Sequence, residues 1–295
     1  MPAQVLSGPD LPARVRAMGG TPRALYLHGC LPEAPTVAVV GTRRPTRPAL
    51  EFASKLAAGL AAQGLCVASG GAEGIDTAAH RGALSVKGAT LVVAPAGFER
   101  PFPSDNAALF RDVVARGGAY LSLEPDHRPA QRGRFFQRNA VLVALSDVVV
   151  IVEAGVRSGA RNAAKWARRM HRPLFAVPAA PWSGAGLGCV LELRRGAKPL
   201  LNEKDVMKEL EALGLGVQRL LDLPAGEPDR GGGADNSLGL VRRAVENGAT
   251  HADAIVQETG LPAADVHRVL LTLTLDGVLA PDPAGGILFV SRQYR

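Results

Sequence analysis

The 295 residues exceed one ordinary domain of about 100–200 residues but fit a large α/β unit with a small appendage. With 47% hydrophobic and 21% charged residues the chain can bury a sizeable core, which excludes an intrinsically disordered protein. A formal net charge of +7 and a pI of about 9.8 favour a polyanionic partner, with nucleic acid ahead of acidic membranes.

Residues 1–35 are weakly patterned and are expected to form a reduced N-terminal segment. From Thr36 onward, short β-branched runs alternate with amphipathic stretches, the pattern of βαβ units around a parallel sheet covered on both faces. Strands are expected at Val37–Val40, Leu65–Ser69, Thr90–Ala94, Ala119–Ser122, Val148–Glu153 and Pro173–Val177. The run Val148-Val149-Val150-Ile151-Val152 is too continuous for a half-exposed strand and belongs at the sheet centre. The expected fold class over residues 36–223 is therefore α/β, a Rossmann-like, doubly wound, mostly parallel sheet. Residues 224–237, with Pro224, Pro228 and Gly231-Gly232-Gly233, lack apolar periodicity and read as a linker. Beyond them, helices at Leu238–Glu246, His251–Glu258 and Ala263–Leu275 precede two short apolar segments ending in Ile287–Val290. Three helices and a hairpin describe a small C-terminal winged-helix domain over residues 238–295.

Four loops could carry chemistry. Gly41-Thr42-Arg43-Arg44-Pro45 joins the first strand to a helix around Ala49–Gln63, a place where backbone N–H groups favour an anion. It lacks the G-x-G-x-x-G spacing of a dinucleotide site, and a tight turn with solvated arginines is the alternative. In Ser69-Gly70-Gly71-Ala72-Glu73-Gly74-Ile75-Asp76, three glycines permit close approach by a backbone, and Asp76 is typed as a helix N-cap with His80 over the same face. Neither Asp76 nor His80 is a candidate base; both read equally as structural. Arg128, Arg132, Arg134 and Arg138 flank Phe135-Phe136 with no acidic residue among them, which is the chemistry of sequence-tolerant single-strand binding. One of the two phenylalanines is expected to be core, and Asn139 to start a helix where its amide caps or meets a base edge. The fourth loop carries Glu153, Gly155, Ser158 and Gly159 ahead of another helix; Glu153 could position an arginine or act as a catalytic carboxylate.

Enzyme signatures are missing from the sequence. It has no G-x-x-x-x-G-K-[ST] phosphate loop, no HExxH and no G-x-S-x-G elbow, so no cofactor, metal or catalytic residue is expected. Cys30, Cys66 and Cys189 lack ligand or disulfide spacing and read as buried thiols. With no long apolar run and no signal-peptide layout at Met1–Leu11, a soluble, cytoplasmic protein without membrane contact is expected.

Taken together, Val39-Val40-Gly41-Thr42-Arg43, Ser69–Asp76 with Ala79-His80, Phe136-Gln137-Arg138-Asn139, Val152-Glu153-Ala154 and Ser158-Gly159 resemble the DNA-processing protein A (DprA/Smf) family in order and spacing over Thr36–Leu201. The resemblance implies an extended Rossmann fold that binds single-stranded DNA, forms a homodimer and loads RecA recombinase onto DNA covered by single-strand-binding protein, in natural transformation and recombination. By matching motifs, the implied DNA pocket comprises Gly41, Thr42, Arg43, Ser69, Gly70, Gly71, Phe136, Arg138 and Asn139, with Ser158 and Gly159 nearby; Arg132 and Arg134 join it from the cation pattern. The family usually has Arg where Glu73 and Ala140 stand, Pro-Gly at Pro178-Ala179, and apolar-Thr-Ala where Ala160-Arg161-Asn162-Ala163 runs. Arg128, Arg132, Arg134 and Arg161 are the cations available to compensate.

Two other readings stay open. One is a nucleotide-processing enzyme resembling the lysine-decarboxylase-like phosphoribohydrolases, with Glu153 as its acid, although Glu153–Gly159 fits their Pro-Gly-Gly-x-Gly-Thr-x-x-Glu loop poorly. The other is a winged-helix duplex-DNA regulator, whose recognition helix over Pro262–Leu275 carries only His267 and Arg268 as strong contacts.

Overall fold

Valine-rich strands at the centre of the chain send alternate side chains to opposite faces, and each face is covered by helices. The computed structural model describes residues 2–180, 182–215, 234–249, 251–263, 265–266, 269–270, 273, 279–281 and 287–289. The chain divides into two units, residues 1–221 and 222–295.

In the larger unit the elements run β1 (Gln4–Ser7), α1 (Ala13–Arg16), β2 (Ala24–Gly29), β3 (Thr36–Val40), α2 (Arg47–Ala62), β4 (Cys66–Ser69), α3 (Ile75–Ser85) and β5 (Thr90–Ala94). They continue with α4 (Ala107–Ala115), β6 (Ala119–Ser122), α5 (Arg132–Leu145), β7 (Val148–Ile151), α6 (Ala160–Arg169), β8 (Leu174–Ala176), α7 (Leu187–Leu193), β9 (Lys198–Pro199) and α8 (Glu203–Ala212). Among the described residues these form one nine-stranded sheet in the order β1-β2-β6-β5-β4-β3-β7-β8-β9. All neighbours from β6 to β9 pair in parallel, as expected for a doubly wound sheet. Val148 and Val150 face α2, α3 and α8, whereas Val149 and Ile151 face α5, α6 and α7, so β7 is buried on both sides as its composition requires.

The N-terminal segment holds more order than its composition suggests. β1 pairs antiparallel with β2, and β2 antiparallel with β6, closing that edge of the sheet. Only Leu6 of β1 is buried, which hides the strand from a periodicity test; the alternating buried Leu25 and Leu27 of β2 are the signal that marks it. Cys30 is exposed and only Cys66 and Cys189 are buried, which corrects the expectation of three buried thiols.

In the smaller unit, α9 (Ala234–Glu246), α10 (Ala252–Thr259) and helical residues within 263–273 enclose Val241, Val245, Ile255, Val266 and Leu270, and β10 (Leu279–Pro281) pairs antiparallel with β11 (Ile287–Phe289). Most of the expected linker, together with His267, Arg268 and Val290, lies outside the described residues. No helix among the described residues is long and apolar enough to cross a membrane.

One buried carboxylate sets the register of the central pair. Asp147, just before β7, accepts the backbone N–H of Thr36 at 2.8 Å and a guanidinium N–H of Arg14 at 2.6 Å, while its own N–H donates to Thr36 O at 2.7 Å. Asp147→Ala removes the acceptor for a buried donor, and a loss of about 1–3 kcal/mol is expected. The urea midpoint should fall with little change in the denaturant slope.

Candidate functional site

β3 and β7 lie side by side, but the chain leaves β3 for α2 on one face of the sheet and β7 for α6 on the other. The loops after the two strands therefore diverge, and a crevice opens at their carboxyl ends, the place where open α/β sheets take ligands. It is a cleft of about 600 Å³ lined by Val40–Arg44, Ala72, Asp76, Phe135, Phe136, Arg138, Asn139, Gly155 and Arg157–Ala160.

Glu153 builds the first wall. It is 7% exposed and takes the backbone N–H and the hydroxyl of Thr46 on its two carboxylate oxygens, each at 2.8 Å, while its carbonyl accepts Thr42 N–H at 2.7 Å. Glu153 thus holds the Gly41–Thr46 loop and not an arginine, which corrects one expectation and engages each carboxylate oxygen in a hydrogen bond. Thr46 in turn caps α2 by accepting Ala49 N–H. Within this loop Arg43 is exposed and lies over two rings, with its guanidinium carbon 5.4 Å from the centroid of Phe135 and 5.8 Å from that of Phe102. Those rings meet edge to face at 5.4 Å.

The glycine loop works from beneath. Ser69, Gly70 and Gly71 are buried and do not line the cleft; the Ser69 hydroxyl donates to Val39 O at 2.6 Å. A Cβ on Gly70 would fall 1.4 Å from an Arg138 guanidinium nitrogen, so this glycine makes room for a side chain and not for a ligand. Gly74, at φ 80° with Thr42 O 2.5 Å from where its Cβ would stand, admits the backbone of the first loop. It also takes the N-cap position, which corrects the assignment of Asp76: that residue lies in the first turn of α3, accepts Ala72 N–H at 3.3 Å and faces Arg138 at 3.9 Å.

Arg138 forms the floor, only 6% exposed and with its Nε unpartnered. Burial lowers its basicity, opposed by Asp76, and burial raises the Asp76 carboxyl above its ordinary range, opposed chiefly by Arg138. Beneath them His80 is fully buried and bonds Thr90 Oγ1 at 2.8 Å; burial, then the charge of Arg138, pushes its imidazole down to about 3. His80 is a neutral core histidine.

α5 supplies the opposite side. It begins at Arg132, so Asn139 lies mid-helix, where its amide reaches Asn162 Oδ1 at 3.3 Å and Gly159 O at 3.4 Å instead of starting a helix. Phe136 is 62% exposed and Phe135 half-buried, so neither is the core residue expected. Arg132 is exposed outside the cleft lining. Arg134 turns away to pair with Glu124 and donates to Gln137 Oε1 at 2.7 Å. Arg161 is likewise engaged, bonding the fully buried Glu192 at 2.7 Å and Val156 O at 2.5 Å, which ties down the Gly155–Gly159 loop. Ser158 accepts Ala160 N–H at 3.2 Å at the start of α6.

The cations that line the cleft are Arg43, Arg44, Arg138 and Arg157. Arg44 and Arg157 were not singled out as site residues, although each stands within a loop that was: Arg44 beside Arg43, Arg157 between Gly155 and Ser158. Among the described residues no group of three or more His, Cys, Asp or Glu could hold a metal ion.

Comparison with known proteins identifies the family. The model of the family described as DNA recombination-mediator protein A matches residues 4–211, and that of the DprA winged helix domain matches residues 230–285. A DNA processing protein DprA of Mycobacterium tuberculosis is 37% identical over 276 residues, covering 90% of this chain and 68% of the relative. The X-ray structure of DprA from Streptococcus pneumoniae superposes with a TM-score of 0.64 at 28% identity, over 70% of this chain and 74% of that one. DNA processing protein A from Helicobacter pylori, whose structure is described for its single-stranded DNA binding mode, gives 0.63 at 30% identity, over 71% and 96%.

The buried histidine sets a pH dependence. Unfolded His80 binds a proton near its ordinary value of 6.5, whereas the folded site resists protonation down to about 3. Its contribution to stability is therefore complete above the higher value and shrinks as pH falls toward the lower one, by up to about 1.4 kcal/mol per pH unit. Urea midpoints measured from neutral to acid pH are expected to fall more steeply for the parent than for His80→Gln; Asp76, whose shift runs the other way, is common to both.

Proposed function

Because the chain belongs to the DNA recombination-mediator protein A family, we propose that the β3–β7 cleft binds single-stranded DNA so that the protein helps load RecA recombinase during natural transformation and recombination. The observation that carries this reading is Arg43, an exposed guanidinium held by Phe102 and Phe135 at the cleft mouth, with exposed Phe136 beside it. Fixed cations beside aromatic faces are what a sequence-tolerant single-strand site needs.

In this reading Arg43, Arg44 and Arg157 meet phosphates. Arg138 supplies positive potential from the floor, Phe136 stacks on a base, and Thr42, Ser158 and Gly159 offer polar groups along the walls. Asn139 bridges the base of the cleft, and Gly41, Ser69, Gly70 and Gly71 keep the floor in place. Arg132 is an outer contact on the rim, while Arg134 acts through its pair with Glu124. The protein is proposed to work as a cytoplasmic homodimer, without catalysis or cofactor, on strands covered by single-strand-binding protein; the winged-helix unit would add protein contacts or weak DNA contacts. Against the phosphoribohydrolase reading, Glu153 is buried and each of its oxygens holds a donor of Thr46.

Fluorescence anisotropy with labelled single-stranded and duplex oligonucleotides across salt tests the proposal. If about five phosphates are neutralised, affinity for the single strand falls about a hundredfold between roughly 50 and 200 mM salt. Arg43→Ala is expected to weaken binding at least about tenfold and to flatten the salt slope by about 0.7. Equal binding by Arg43→Ala and the parent, or a preference for duplex, would defeat the reading.

A further inference from the structure

Trp182 is left 88% exposed, the most exposed large hydrophobic side chain among the described residues. An indole is usually among the most valuable groups to bury, and one left in water is available for a partner. Beside it Ser183 N–H donates to Ala180 O at 2.9 Å, and Gly186 N–H to Ser183 O at 3.1 Å. These residues are seated against the Gly155–Gly159 loop that lines the cleft. Gly188 N–H donates to Ala154 O at 2.7 Å, and Gly184 O lies 3.9 Å from where a Cβ on Gly155 would stand. Gly155 lines the cleft, and exposed Arg157 follows two residues later.

Exposed Phe136 on α5 already gives the cleft one aromatic face. We infer that Trp182 is a second base-stacking site, taking an unpaired nucleobase of a strand whose phosphates pass over Arg157. The inference rests on the proposed single-strand binding of the cleft and extends its footprint beyond the lining residues. Stacking on an uncharged ring is sequence-tolerant and releases no counterions, so its signature differs from that of an arginine.

The test uses the full chain and oligothymidylate. Strand binding is expected to quench tryptophan emission in the parent and not in Trp182→Phe, whose remaining tryptophan, Trp166, is half-buried under Arg169 at 5.1 Å. Trp182→Ala is expected to weaken binding about tenfold with an unchanged salt slope, and Trp182→Phe to keep most of the affinity. With an oligonucleotide carrying an abasic run, parent and Trp182→Ala should converge. Undiminished binding by Trp182→Ala, quenching that persists in Trp182→Phe, or a gap that survives on abasic DNA would overturn the inference while leaving cleft binding intact. Failure of the parent to bind any single strand would overturn both readings.

Discussion

Two carboxylates at opposite ends of β7 hold it to β3, and the cleft depends on that pairing. Asp147 fixes the start through the backbone of Thr36, and Glu153 fixes the end through the backbone of Thr42 and both polar groups of Thr46. Neither interaction touches the proposed ligand. Their effect is to hold two strands in register while their outgoing loops part toward opposite faces, which leaves backbone, helix ends and cations converging on one crevice. A buried acid that satisfies two donors this way is strongly placed, because moving it would leave polar groups unpaired.

Charge in the cleft is arranged in depth. Arg138 lies at the bottom, partly offset by Asp76 and with one N–H unpartnered, so it supplies potential without reaching solvent. Arg43 stands at the mouth with its direction set by two rings. Two of the cations expected to replace those missing relative to the family serve other ends: Arg134 meets Glu124 and Arg161 meets Glu192. Arg44 and Arg157, already within the loops, are the ones that line the space. An arginine count is therefore a poor guide to a binding face where buried carboxylates compete for guanidinium groups.

The architecture was largely legible in the sequence. The β-branched runs at Thr90–Ala94 and Val148–Ile151 mark parallel strands because burial on both faces demands continuous apolar side chains. β1 and β2 escaped because an antiparallel edge needs few buried residues, and β1 buries only Leu6. Loop functions were less legible. Gly70 looked like a place for close approach by a ligand, and the group that approaches is Arg138, sixty-eight positions along the chain.

By itself, the sequence determined the doubly wound sheet, the family motifs and the presence of cations beside aromatic residues, since those follow from local periodicity and residue type. Only the tertiary structure decided which cations face the cleft, that Glu153 is committed to Thr46, that His80 stays neutral and that Trp182 stands in water near the Gly155–Gly159 loop. The physical reason is that each of these depends on a partner or an exposure set by packing between distant segments, and local pattern carries no information about which buried carboxylate a given side chain will meet.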